Sequence, residues 1–126
     1  MTDDPLQKAL AVMDAYMAGI NHGDEVAVNA ACNFPHVWIA RGQVMVWPDR
    51  GGYKLDVFHA TAGDGWARSA WDEIKPLHVA ETKVHFQVKF TRYRGDGSVL
   101  GEFETIYIVT RQDGHWGILA RSSFAS

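Results

Sequence analysis

Cysteine is nearly absent from this sequence. Its one thiol, Cys32, sits in the apolar run AVNAACNF with no second cysteine to oxidise against, so the fold cannot rest on an intramolecular disulfide. In that setting the side chain reads as a small buried hydrophobe. A positive excess is also missing: 12 Lys and Arg stand against 15 Asp and Glu, for a net charge of -3. A phosphate-binding face usually shows as a basic excess, so the composition speaks against a nucleic-acid partner. No apolar run approaches the roughly 20 residues that span a bilayer, and no charged start followed by an apolar segment marks a secretory leader. A cytoplasmic protein with no membrane partner is the expectation. The glycine-rich phosphate motifs, the GxSxG elbow and the HxH and HExxH ligand spacings are all missing. No cofactor and no metal are therefore expected.

The composition that remains is globular, with 47% hydrophobic and 21% charged residues. A chain of 126 residues suits one domain and can bury about two-thirds of its unfolded surface. DDPLQKALAVMDAYMAGINHG reads as a helix capped by Asp4, with Pro5 at its first position and Gly23 as its left-handed stop. Leu6, Leu10, Met13, Met17 and Ile20 form an apolar stripe along it. Asp24 caps a second, short helix that ends near Ala31. VWIA and QVMVW flank Arg41-Gly42 as a hairpin, and a third helical piece covers Tyr53 to Ala62. From Arg68 onward the chain is strand-like, with turns at Glu81-Thr82, Asp96-Gly97 and Asp113-Gly114.

The last two turns set a register. Phe90 faces Phe103, Val88 faces Thr105 and Phe86 faces Tyr107. Val109 faces Ile118, Tyr107 faces Ala120 and Phe103 faces Phe124. One sheet face then carries Val84, Phe86, Val88, Phe90, Phe103, Tyr107, Val109, Trp116, Ile118 and Phe124, and both turns agree on it. The other face carries His85, Gln87, Lys89, Glu104, Ile106, Ile108, Leu119 and Arg121. This mixed, partly apolar face suits a homodimer contact.

Helices, a short hairpin and a long antiparallel sheet make an α+β pattern. The segments YMAGINHGD, FTRYRGDGS and YIVTRQDGHWGI, in that order and spacing, resemble the nuclear transport factor 2-like superfamily, which includes SnoaL-like polyketide cyclases and ketosteroid isomerases. The resemblance covers nearly the whole chain. It implies helices packed in the concavity of a strongly bent sheet, a cystatin-like cone with a central pocket, and a homodimer through the outer sheet face. It does not settle function, because the fold hosts many chemistries.

Aligned with ketosteroid isomerase, Tyr16 falls where that family keeps an oxyanion-hole phenol. Its proton-shuttling aspartate falls on Ala40. Its protonated aspartate falls near Thr105 to Tyr107, where no carboxylate occurs, and Glu104 points to the other face. A replacement base must come from elsewhere. His36 is one candidate, since imidazole titrates near neutrality; it shares a face with Trp38, Met45 and Trp47, although the Val37, Ile39, Val44 and Val46 face is as good a core. Asp72 is the other. A bulge near Pro76 would turn Asp72 inward; without one, Trp71 and Glu73 face the pocket. Arg92 closes the aromatic face and could pair with either carboxylate. Trp38, Trp71, Phe90, Arg92, Phe103, Tyr107 and Ser122 are the expected ligand wall. His78 and His85 oppose each other across the Glu81-Thr82 hairpin, an ordinary surface pair. Two functions stay open: a cofactor-independent lyase or isomerase acting on a small hydrophobic or aromatic molecule, and a non-catalytic ligand-binding or scaffold homodimer.

Overall fold

The computed structural model describes residues 4–124. Helix α1 (Pro5–His22) starts where the Asp4 carboxylate accepts from the N–H groups of Leu6 and Gln7. It stops at Gly23, whose φ of 63° lets Gly23 and Asp24 donate back to Ile20 and Gly19. Its buried face runs through Ala9, Met13, Tyr16 and Ile20, while Leu6, Leu10 and Met17 of the expected stripe flank that face half-buried. Small residues decide the rotation. A Cβ on Gly19 would lie 2.8 Å from the Val28 side chain, so only glycine lets helix α2 (Glu25–Ala30) pack this closely.

Strand β1 (Cys32–Ala40) begins earlier than expected, running through a cis Phe34-Pro35 bond, and pairs with β2 (Gln43–Trp47) across the Arg41-Gly42 turn. Both turn residues have positive φ, 53° and 71°, the twist a two-residue hairpin needs. Helix α3 (Leu55–Thr61) follows. Four long strands complete the chain: β3 (Trp66–Val79), β4 (Lys83–Arg94), β5 (Val99–Gln112) and β6 (His115–Ser123). The sheet order is β2-β1-β6-β5-β4-β3. Only β1 and β6 are parallel. Bulges in β3, in β5 at Leu100 and in β6 at Leu119 bend the strands, and the curled sheet wraps the helices.

The β4–β5 register is the expected one from the Arg92–Gly101 pair onward, with Phe86 opposite Tyr107 and Phe90 opposite Phe103, while beside the turn Tyr93 pairs with Val99 and leaves Leu100 as a bulge. His78 does face His85, and Pro76 lies in β3, the edge strand. The β5–β6 register holds only as far as Val109 and Ile118. A bulge at Leu119 then sets Ile108 against Ala120 and Tyr107 against Arg121. Arg121 is therefore not on the outer face as expected; it points into the cone and is 5% exposed. Ser123 replaces Ser122 on the inner side, and Phe124 is 88% exposed instead of packing on Phe103.

Asparagines tie helices to strands. Asn21 donates to the Ser69 carbonyl and accepts from the Ser69 N–H, each at 2.8 Å. Asn29 makes the same double bond with Tyr53, at 2.9 and 3.0 Å. Buried Asn33 reaches across to Thr110, 2.8 Å from its carbonyl. Each side-chain amide stands in for a strand neighbour, so no buried backbone group at these joints is left unpaired.

Candidate functional site

A narrow cavity of about 30 Å³ lies between α1, α3 and the inner sheet face. Its apolar wall includes Trp38, Phe58, Trp71 and Phe90; its polar lining includes Tyr16, Tyr107, Arg92 and Arg121. Five expected wall residues, Trp38, Trp71, Phe90, Arg92 and Tyr107, meet here with Tyr16. Phe103 does not line the cavity but packs beside it, its ring centre 5.5 Å from that of Phe90 and 5.0 Å from the Arg92 guanidinium. Ser122 is displaced by the Leu119 bulge and lies on the outer side.

Arg121 organises the interior. Nη1 donates to the Tyr16 hydroxyl at 2.6 Å and Nη2 to the Tyr53 hydroxyl at 2.8 Å. The guanidinium lies 4.5 Å from the Trp38 ring centre and within 5.6 Å of the Tyr16 and Tyr53 rings, a cation–π box. Among the described residues no carboxylate pairs with Arg121. Burial opposes its charge, but the phenols Tyr16, Tyr53 and Tyr107 outweigh that and raise its pKa above the ordinary guanidinium value. It stays cationic.

The phenols stay neutral. Burial raises the Tyr16 pKa well above the ordinary value, although Arg121 pulls the other way. The same two causes, in the same order, act on Tyr107, whose pKa is also raised. Tyr16 and Tyr107 pack edge to face, with ring centres 6.0 Å apart. Because the Tyr16 oxygen accepts from Arg121, its own proton is left to donate. Tyr107 occupies the region where the resemblance sets a carboxylate.

Arg92 donates Nη1 to the Ala62 carbonyl at 3.2 Å and lies over Phe58, Phe90 and Phe103 at 5.0–5.7 Å. Asp72 is not beside it in the cavity. The bulge in β3 falls on Asp72 itself, so Trp71 faces inward while Asp72 and Glu73 both lie on the exposed side. Asp72 accepts from the Thr91 hydroxyl at 2.5 Å. The expectation that a bulge brings Asp72 inward is corrected: the extra residue is taken up on the outer face.

His36 is on the inner face, as its alternation with Trp38 implies, and is fully buried. It is packed into the wall and does not line the cavity. Nδ1 faces the Ile118 carbonyl at 2.9 Å, which fixes Nδ1 as the protonated nitrogen. The ring sits between Tyr53 and Trp47, at 5.5 and 5.9 Å. Burial, then the charge of Arg121, lowers its pKa to about 3, against the Ile118 carbonyl. Such an imidazole is neutral at physiological pH and too weak a base to take a proton from carbon. Ala40 is buried, as the alignment placed it.

Sequence reasoning passed over Tyr53 and set Arg121 on the wrong face. No local pattern marks the bulge at Leu119, and Tyr53 precedes its helix in a Gly-Gly loop whose position depends on Asn29.

A six-stranded curled sheet closed over helices, with an aromatic cavity at its centre, defines the nuclear transport factor 2-like, cystatin-like class of fold, and this chain has that fold. Solved structures agree over nearly the full length. A protein of unknown function with a cystatin-like fold from Nostoc punctiforme superposes with a TM-score of 0.77 at 11% identity, covering 100% of this chain and 96% of that one. A ketosteroid isomerase-like protein from Erwinia carotovora gives 0.70 at 19% identity, covering 98% and 97%. A Catenulispora acidiphila protein solved in complex with S-DNPA gives 0.72 at 13% identity, covering 95% and 92%. At these identities the likeness speaks for fold alone. No family model and no curated protein sequence matches the chain. Among the described residues no helix is long and apolar enough to cross a membrane, and no cluster of three or more His, Cys, Asp or Glu could hold a metal.

Proposed function

We propose that the cone binds a small aromatic or hydrophobic molecule. One observation carries this: the cavity wall combines Trp38, Phe58, Trp71 and Phe90 with hydroxyl and guanidinium groups, and its lining includes no carboxylate, imidazole or amine. Rings supply stacking surface, and the few convergent polar groups supply orientation. A protein of the same fold has been solved in complex with S-DNPA. The absence of a base from the lining favours a binding role over proton abstraction. Native mass spectrometry of protein purified from cells, with tryptophan fluorescence titrations of simple aromatics, tests it. A bound aromatic mass or saturable quenching is expected. Unchanged fluorescence across the set, with no adduct, overturns the reading.

A second reading has its own support in the 2.6 Å bond from Arg121 to Tyr16. A phenol so polarised is an electrophile for a lyase or isomerase whose substrate carries its own base or leaving group. Turnover lost in Tyr16→Phe with ligand affinity kept would favour it.

A homodimer through the outer sheet face completes the proposal. Cross-strand rows on that face read Val46–Val37–Ala120–Ile108–His85 and Val44–Ile39–Ser122–Ile106–Gln87. The first four positions of the first row are apolar. Arg121 takes no part in this face.

A further inference from the structure

Donors outnumber acceptors around the cavity. The Arg121 guanidinium can only donate, and it is 5% exposed with no carboxylate beside it among the described residues. Its Nε is buried without a hydrogen bond. The indole Nε1 of Trp38, which lines the same cavity and is 2% exposed, is also buried without one. Tyr16 and Tyr53 accept from Arg121, and Tyr16 also shares a hydrogen bond with Tyr107. Buried donors without acceptors are uncommon in folded proteins and call for an explanation at each site. A buried guanidinium whose partners are neutral phenols has acceptors but no counter-charge. The cavity volume of about 30 Å³ is roughly twice the minimum that a water needs, which suits a head group of a few atoms.

We propose that this cavity receives the carboxylate of a small aromatic acid, held by Arg121 and by the Tyr16 and Trp38 donors. This rests on the aromatic-ligand reading above and adds the charge of the ligand. The carboxylate supplies both the missing counter-charge and the missing acceptors. Charge-assisted bonds in a water-poor site are the strong ones. The ring attached to the head group lies toward Phe58, Trp71 and Phe90.

The test compares benzoate with benzamide, its neutral analogue of nearly the same shape, by calorimetry and tryptophan fluorescence on the full chain. Benzoate is expected to bind at least about tenfold more tightly, and formate, the head group alone, to compete with it. Arg121→Met is expected to abolish that preference. Should that variant not fold, Trp38→Phe and Tyr16→Phe each remove one donor and keep the ring, and each is expected to weaken benzoate severalfold while leaving benzamide unchanged. Equal binding of the two probes, or a preference that survives all three substitutions, overturns the carboxylate assignment and leaves an aromatic-ligand pocket standing. Failure of both probes to bind at millimolar concentration overturns the assignment too, and native mass spectrometry then decides the parent reading separately.

Discussion

At the scale of single residues, burial sets the chemistry. His36 has the composition of a general base, yet its surroundings make it a neutral wall residue with a pKa lowered to about 3. In the unfolded chain it titrates near 6.5. Below that pH the unfolded state gains a proton that the folded state refuses until about pH 3, so stability is present above pH 6.5 and drains away as pH falls. Between pH 6 and pH 4 this amounts to about 2 kcal/mol. Chemical denaturation of the wild type against His36→Asn over that window should show the difference; parallel curves would refute it. Cys32 follows the same logic. Burial pushes its thiol up to about 12, leaving almost no thiolate at neutrality. A thiol reagent should label it only after unfolding, and fast labelling of the native protein would contradict its burial. The types and spacing of His36, Trp38 and Cys32 were legible in the sequence. Their protonation was not, because desolvation depends on neighbours distant along the chain.

At the scale of elements, small irregularities decide the site. One bulge at Leu119 turns Arg121 from the outer face to the cone interior and exchanges Ser122 for Ser123. A second, at Asp72, keeps both nearby carboxylates outside. The Asp113-Gly114 turn reports its register locally, whereas the Asp96-Gly97 loop closes one residue off and an extra residue at Leu100 restores the expected pairing of Phe90 with Phe103. A bulge in mid-strand leaves no such mark, since it depends on what packs above and below. The asparagine joints are similarly silent. Asn29 holds Tyr53 by two backbone bonds, and Tyr53 holds Arg121. Asn29→Ala should cost about 2 kcal/mol, since it strands two partly buried backbone groups; a urea midpoint within error of wild type would show that the joint carries nothing. Gly117 is a tighter constraint. A Cβ there would meet Cys32 and Asn33 backbone atoms at 2.6–2.8 Å. Gly117→Ala should therefore destabilise by about 2–3 kcal/mol, measured the same way.

At the scale of the whole molecule, the sheet has two faces with opposite tasks. The inner face closes over α1 and the cavity. The outer face leaves Ile39, Val44 and Val46 at 40–63% exposure in rows that continue through Ala120, Ile106 and Ile108. A patch of this kind suits association. Ile108→Lys should shift the proposed dimer to monomer in sedimentation equilibrium while leaving the fold intact by circular dichroism. An unchanged mass, whether monomer or dimer in both proteins, would remove this face as the interface. By itself the sequence determined the elements and the α+β class, because periodicity, caps and turn residues act over a few positions along the chain. Only the tertiary structure decided that Arg121 is a buried cation of the cone, that Asp72 is outside it and that His36 is no base. Those outcomes turn on strand bulges and on desolvation, and both are set by packing between segments far apart in the chain.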